Sequence, residues 1–431
     1  MNNFQEFFKN KKVTVVGLGL LGKRLGDIAF LAENGAQVLV TDLKTKEELF
    51  SSIKKLNKYK NIKYVLGEHR FEDFTNCDFV LKGQGVALDS PYIEYARGKG
   101  IPIEMDESLF AKLAPKVKII GVTGTRGKTT TTILIYEILK ASGMHVHLGG
   151  NIRDTAALSL LNKMKDWDVV VFELSSWQLQ GFGEAKISPY ISVFTNFMPD
   201  HMNYYKNNLN SYFGDKSCIY KFQKKGDVLV LGPQMKNLIK NVKSKILNAN
   251  IKDIPKSWKI NLLGKHNLEN IACAVEVARS LKIKEEIIKK VVEKFKAIEG
   301  RLELVKIIGG VKIYNDTNST TPEATIVALN SFKNKVILIM GGTDKGLDLK
   351  NLHAVLKKKT RKIVLIGGSG SDRIKIKSNK VSNLKEAVVE AMREAKKGDT
   401  ILFSPAFTSF GMFQNEYDRG DKFMEIVKQL K

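Results

Sequence analysis

Gly121, Gly124 and Gly127 lead into Lys128 and Thr129 in the run KIIGVTGTRGKTTTTILIYEIL, residues 118–139. Apolar Ile119, Ile120 and Val122 before the loop read as a buried strand, and the residues after it read as a helix. Glycines let main-chain N–H groups converge on an anion, and a helix N-terminus adds partial positive charge. A lysine so placed reaches terminal phosphates, and the next hydroxyl holds a magnesium ion. The loop therefore predicts a nucleoside triphosphate held by Gly124, Thr125, Arg126, Gly127, Lys128, Thr129 and Thr130. The common spacing G-x-x-x-x-G-K-[ST] asks for glycine at 122, where this chain has Val122.

Glu173 is the next candidate. It ends the apolar run VVVFE, and a carboxylate at a strand end beside a phosphate loop is the usual partner of a nucleotide-bound magnesium. Ser175 and Ser176 then begin a polar turn. TNFMPDHMNYY, residues 195–205, closes another strand and carries Asn196, Asp200 and His201. A lone loop histidine is more often incidental than a ligand, but this one would share a sheet edge with Glu173. Lys216, in YFGDKSCIY, reads locally as a helix-surface lysine.

Three consecutive α/β segments must position these residues. The first opens with VTVV, the glycine turn GLGLLG (Gly17, Gly19, Gly22), a helix, and AQVLVTD ending in Asp42. That is the order of a nucleotide-binding fold. Further strands are expected at IKYVLG, DFVLKG and IPIEM, with the segment ending near Pro115. The second starts at the phosphate loop and continues with strands at DWDVVVFELSS, ISVFTN and KGDVLVLG. GKHNLENIACAVEVARSL and residues 284–295 read as helices, and AIEGRLELV as a hinge where Gly300 breaks the helix. In the third, KIYNDTNST, KVILIMGGTDKG, KIVLIGGSG and DTILFSPAFTSFG are apolar strands ending in small-residue loops. Helical patterns between them predict a mostly parallel sheet, with ligands at the C-terminal strand ends.

The length of 431 residues suggests about two to four domains. The composition, 43% hydrophobic and 27% charged, is that of an ordinary globular protein. No apolar stretch approaches the roughly 20 residues that span a bilayer, and the N-terminus lacks the apolar core of a secretory signal. Three scattered cysteines argue against a disulfide framework or zinc cluster and fit a reducing cytoplasm. The net charge of +25 is spread over helix faces, so no nucleic-acid partner is expected; some attraction for anionic substrates is.

TGTRGKTTT, FELSSWQLQ, NFMPDHMNYY, GKHNLENIACA, EGRLE, YNDTNSTTPEAT and SPAFTSF occur in the order found in the Mur ligases, and the chain resembles that family along essentially its whole length. FELSS-W-QL and the GLGLLG region favour the branch that joins D-glutamate to UDP-N-acetylmuramoyl-L-alanine. The resemblance implies an α/β fold of three domains. They are an N-terminal Rossmann-like UDP-binding domain (1–115), a central P-loop ATPase domain (116–299) and a C-terminal Rossmann-like amino-acid-binding domain (300–431). It implies an ATP-dependent amide-forming ligase of cytoplasmic peptidoglycan precursor synthesis, acting through an acyl phosphate as a monomer. Its cofactors would be ATP, two Mg²⁺ ions and a carbamylated lysine.

By the same resemblance Lys128 and Thr129 match the phosphate-loop pair, Glu173 the magnesium carboxylate, and His201 a histidine at a second metal. Lys216 matches the lysine that the family carbamylates, which reverses its local reading. Asn270 matches an adenine contact, Asp316 a ribose contact, and Arg301 a residue that meets the terminal phosphate when domains close. Leu20, Leu21 and Asp42 fall where the uridine nucleotide is held, and Asn151 and Ser175 near the substrate. Lys345 and Ser409 fall at the amino-acid site, and Thr320, Phe410 and His201 are also expected to bind substrate. Two positions depart from the pattern: Asn318 stands for an expected lysine, and Glu416 for a phenylalanine.

Other readings stay open at this level. An NAD-dependent oxidoreductase would use Gly17, Gly19, Gly22 and Asp42 but leaves the Lys128 loop unexplained. A nucleotide-gated binding protein would bind ATP without turnover. A ligase of the same superfamily with another acceptor, such as a folylpolyglutamate synthase, would lack the GLGLLG region.

Overall fold

Continuous apolar runs such as VVVFE and VILIM are buried along their full length, as parallel strands covered by helices on both faces must be. The computed structural model describes residues 4–19, 22–153, 155–240, 242–409 and 411–430; Leu20, Leu21 and Phe410 lie outside these. The chain divides into two compact units, residues 1–258 with 269–292, and residues 259–268 with 293–431.

The first unit holds two parallel sheets. One contains β1 (Lys12–Val16), β2 (Gln37–Asp42), β3 (Ile62–Leu66), β4 (Phe79–Lys82) and β5 (Ile103–Glu104), in the order β3-β2-β1-β4-β5. The other contains β6 (Lys118–Thr123), β7 (Val146–Gly150), β8 (Val169–Glu173), β9 (Ile191–Phe194), β10 (Val228–Leu231) and β11 (Lys245–Asn248), in the order β11-β10-β9-β6-β8-β7. Strand order reverses around β6, so a crevice is expected at its C-terminal end. That end carries the glycine loop. A buried polar seam joins the two sheets: Lys23 pairs with Glu107, Gln178 donates to the same carboxylate, and Asp27 accepts from the Leu158 N–H at 2.9 Å.

The second unit holds β12 (Glu303–Ile308), β13 (Val311–Asn315), β14 (Val336–Met340), β15 (Thr360–Leu365), β16 (Asn379–Lys380) and β17 (Thr400–Phe403), in the order β12-β13-β17-β14-β15-β16. β12 runs antiparallel to β13 and the remaining pairs are parallel, so this sheet is mixed.

Every strand expected from the sequence is present. β7, β11, β12 and β16 were not expected, and all four are the outermost strands of their sheets. Edge strands bury less, so they lack the continuous apolar signal. Two local expectations are corrected. The helix ahead of the hinge ends at Lys294, and Gly300, at φ +67°, lies in the turn before β12 instead of breaking that helix. Ser175 and Ser176 do not start a turn; Ser175 caps the helix Ser176–Ala185. Among the described residues no helix is long and apolar enough to cross a membrane.

Candidate active site

The glycine loop joins β6 to the helix Lys128–Ala141, whose cap is Gly127 at φ +81°. A Cβ at Gly127 would collide with the Asn270 side chain, and one at Gly124 with the Thr195 hydroxyl. Both positions therefore require glycine. The loop is laced to the strand end at 195–200. Thr125 N–H donates to the Asn196 carbonyl at 3.0 Å, and Arg126 N–H to Asn196 Oδ1 at 2.8 Å. Arg126 Nη1 reaches Asp200 Oδ2 at 2.7 Å. Burial pushes the Asp200 carboxyl up, but the Arg126 guanidinium, the His201 ring and N–H, and these hydrogen bonds together hold it below its ordinary range. Thr129 is half-buried and Thr130 buried in the first turn of the helix.

Two amines meet on one carbonyl here. Lys128 Nζ donates to Gly124 O at 3.1 Å, and Lys216 Nζ donates to the same oxygen at 2.9 Å. Lys216 is not on the surface: it is 2% exposed, packed over the Tyr212 ring at 4.8 Å. Burial first, and the Lys128 charge second, pull its pKa well below the usual lysine value. Its local reading as a helix-surface lysine is thereby corrected.

Register places Glu173, at the end of β8, beside Val122 of β6. Glu173 is 2% exposed. One carboxylate oxygen accepts from Asn151 Nδ2 at 3.0 Å; the other, Oε2, is buried without a hydrogen-bond partner. An orphaned buried oxygen at the strand end beside the strand that leads into the phosphate loop fits a divalent cation. His201 sits at φ +55° in the adjoining loop, its ring 4.6 Å from that of Trp177. Trp177 was not singled out in the sequence.

Ser175 is committed to its helix. Its hydroxyl accepts from the Gln178 N–H at 3.2 Å, and its own N–H donates to the Gln178 side chain at 2.8 Å. In the first sheet, Asp42 Oδ2 accepts from Leu18 N–H at 2.8 Å and Oδ1 from Lys44 N–H at 2.9 Å. The first of these bonds holds the glycine turn, and the second closes the turn after β2.

The second unit gathers Arg301, Asp316, Asn318, Thr320, Lys345 and Ser409. Asp316 is buried, and its carboxylate accepts from Ser319 Oγ (2.6 Å), Ser404 Oγ (2.8 Å) and Leu302 N–H (3.1 Å). Burial lifts its pKa to about 6 against those bonds. Thr320 and Lys345 line one shallow surface recess with Asp344, Ala406 and Phe407. Ser409 is buried. Arg419, missed in the sequence, is fully buried and ties two loops together, donating to Thr317 O at 2.8 Å and Phe407 O at 3.1 Å. Glu416 occupies the first turn of the helix Glu416–Gln429, where a negative charge meets the positive helix end. Asn318 Nδ2 donates to the Glu299 carbonyl at 3.2 Å.

Three family descriptions match in chain order: the Mur ligase MurD-like N-terminal domain at residues 11–104, the Mur ligase middle domain at 122–257, and the Mur ligase glutamate ligase domain at 300–407. A relative from Acetivibrio thermocellus is 36% identical over 100% of this chain and 99% of its own, and one from Roseiflexus is 34% identical over 97% and 99%. The chain belongs to the Mur ligase family. Both relatives carry the name UDP-N-acetylmuramoylalanine--D-glutamate ligase. Among solved structures, the Mur ligase MurF of Thermotoga maritima in complex with ADP aligns at TM-score 0.64, 18% identity and 100% and 99% coverage. MurC of the same organism aligns at TM-score 0.63, 19% identity and 98% and 100% coverage. At that identity they bear on the fold alone. Mur ligases are ATP-dependent, amide-forming enzymes that use Mg²⁺.

Proposed function

We propose that this Mur ligase joins D-glutamate to UDP-N-acetylmuramoyl-L-alanine in peptidoglycan precursor synthesis, as a cytoplasmic monomer. The observation that carries the reading is the meeting of Lys128, Lys216 and Glu173 at the C-terminal edge of one sheet, in a chain full-length related to enzymes of that name.

The γ-phosphoryl of ATP passes to the substrate carboxylate, giving an acyl phosphate and ADP. The glutamate amine attacks the acyl carbon, loses its proton, and phosphate leaves as the amide forms. Main-chain N–H groups of residues 124–130 and the Lys128 amine cradle the phosphates, and Asn270 meets the adenine. Arg301 is assigned to the terminal phosphate. Thr129, Glu173, His201 and Lys216, the last as a carbamate, would hold two Mg²⁺ ions, which neutralise charge on the transferred group. The vacant Oε2 of Glu173 and the depressed Lys216 amine support that assignment.

Residues 1–115, with Leu20, Leu21 and Asp42, are assigned to the uridine nucleotide; Asn151 and Ser175 to the muramoyl end; residues 116–299 to ATP. Residues 300–431 are assigned to glutamate, with Thr320 and Lys345 in the recess, and Ser409 and Phe410 are assigned to the same substrate. Asp316, whose acceptor positions are largely filled, is assigned to shaping the loop at 315–320 in place of a direct ribose contact.

The test measures phosphate release with UDP-N-acetylmuramoyl-L-alanine against a panel of amino acids of both hands. Turnover with D-glutamate above all others is expected. Preference for another amino acid would replace the acceptor, and no turnover with any would remove the reading.

A further inference from the structure

Far from the phosphate loop, three metal-ligating side chains converge at the other ends of β7 and β8. His145 immediately precedes β7 and His147 is its second residue, so strand alternation puts both on one face. Asp168 immediately precedes β8. The register Val146 to Val169 sets Asp168 beside His145, and the Val169 N–H donates to the His145 carbonyl at 3.1 Å. His145 Nδ1 lies 2.7 Å from Asp168 Oδ1, and His147 Nε2 lies 3.5 Å from Asp168 Oδ2. One nitrogen from each histidine and one carboxylate oxygen fall within 4.8 Å of one another.

An imidazole–carboxylate ion pair accounts for His145. The same carboxylate holds His147 less well: its buried Nε2 lies 3.5 Å from Asp168 Oδ2 and makes no hydrogen bond. We infer that His145, His147 and Asp168 bind a divalent transition-metal ion of the zinc class, with solvent completing its shell. Two imidazoles and a carboxylate suit zinc, which takes three protein ligands and an open position, whereas Mg²⁺ prefers oxygen. The His145 side chain is 61% exposed, which leaves that position open to water. The Lys165 N–H holds Asp168 Oδ2 at 2.7 Å, the outer support a metal-binding carboxylate needs. Lys163 is the nearby cation that the ion must tolerate.

The site is separate from the candidate active site. β8 lies between Asp168 and Glu173, about 16 Å at the usual strand rise. β7 is an edge strand with a ladder on one side only. A metal would clip its start to β8, and the far ends of these two strands carry Asn151 and Glu173.

The test uses the tag-free full-length chain after EDTA treatment, with Zn²⁺ or Co²⁺ alone. Titration calorimetry is expected to find a micromolar or tighter Zn²⁺ site, and Co²⁺ to give visible bands of a nitrogen–oxygen site. His145→Ala and His147→Ala should each weaken Zn²⁺ by about 10-fold or more and remove the Co²⁺ bands. His145 is largely exposed, so its variant keeps the fold, and circular dichroism checks this. Glu173→Gln should leave Zn²⁺ affinity unchanged. Absence of Zn²⁺ and Co²⁺ binding by the unaltered chain would overturn the inference. So would Zn²⁺ binding that survives both histidine variants or is lost only in Glu173→Gln.

Discussion

Lys216 is an amine stripped of water and set beside a second amine on the Gly124 carbonyl. Its depressed pKa leaves more of it uncharged near neutral pH, and an uncharged amine attacks CO₂ to give a carbamate and one proton. Assay in CO₂-depleted buffer should therefore lower turnover, and bicarbonate should restore it. The effect should fade as pH falls and the amine protonates. In Lys216→Ala, turnover should drop on the order of 10²-fold and bicarbonate should do nothing; a bicarbonate response in that variant would remove the carbamate. Glu173→Gln should raise the Mg²⁺ concentration needed for half-maximal rate by roughly 10–100-fold, read from a Mg²⁺ titration. An unchanged requirement would take Glu173 out of the metal site. Lys216 also marks where reading residues singly fails. Tyr212, Lys216 and Ile219 form one buried stripe at helical spacing, so the signal was a lysine at an apolar position of the helix.

At the scale of elements, the phosphate loop was legible because chain order alone specifies strand, glycine turn and helix. Its precision comes from partners distant in sequence, such as Asn270 against Gly127, which no local pattern reveals. Gly127→Ala must adopt a left-handed φ and displace Asn270, at about 1–3 kcal/mol, and ATP affinity should fall with it. Isothermal titration with ATP checks this; normal affinity would contradict the required cradle. The helix after Glu173 was readable but missed: S-S-W-Q is a capping-box spacing, and both of its hydrogen bonds form. Ser175→Ala should cost about 1 kcal/mol in urea unfolding. In the second unit, Asp316 has a folded pKa of about 6, above that of an unfolded aspartate. The folded chain then binds the extra proton between about pH 4 and 6, so this group's contribution to stability falls as pH rises through that window and stays low above it. The melting temperature of the unaltered chain minus that of Asp316→Asn should be larger at pH 5 than at pH 7.5. No change in that difference would show that Asp316 does not titrate there.

For the whole molecule, the sequence displayed the number and class of sheets because buried parallel strands announce themselves. The antiparallel β12 went unseen: it is half-exposed, and its first residues, ELV, fall inside the run read as the hinge. Net charge was also legible, at +25. Such a surface attracts a nucleotide-linked, multiply anionic substrate, so kcat/KM for UDP-N-acetylmuramoyl-L-alanine should decline from low salt to about 0.15 M, where fields are screened beyond about 8 Å. A flat salt profile would confine the lysines to solubility. The central claim is that this sheet edge activates a carboxylate by phosphorylating it. The direct measurement uses UDP-N-acetylmuramoyl-L-alanine labelled with ¹⁸O in its carboxylate, ATP and D-glutamate, with mass analysis of the phosphate released. An acyl phosphate requires one ¹⁸O atom in each phosphate formed by ligation, and unlabelled phosphate beside newly formed amide would contradict it.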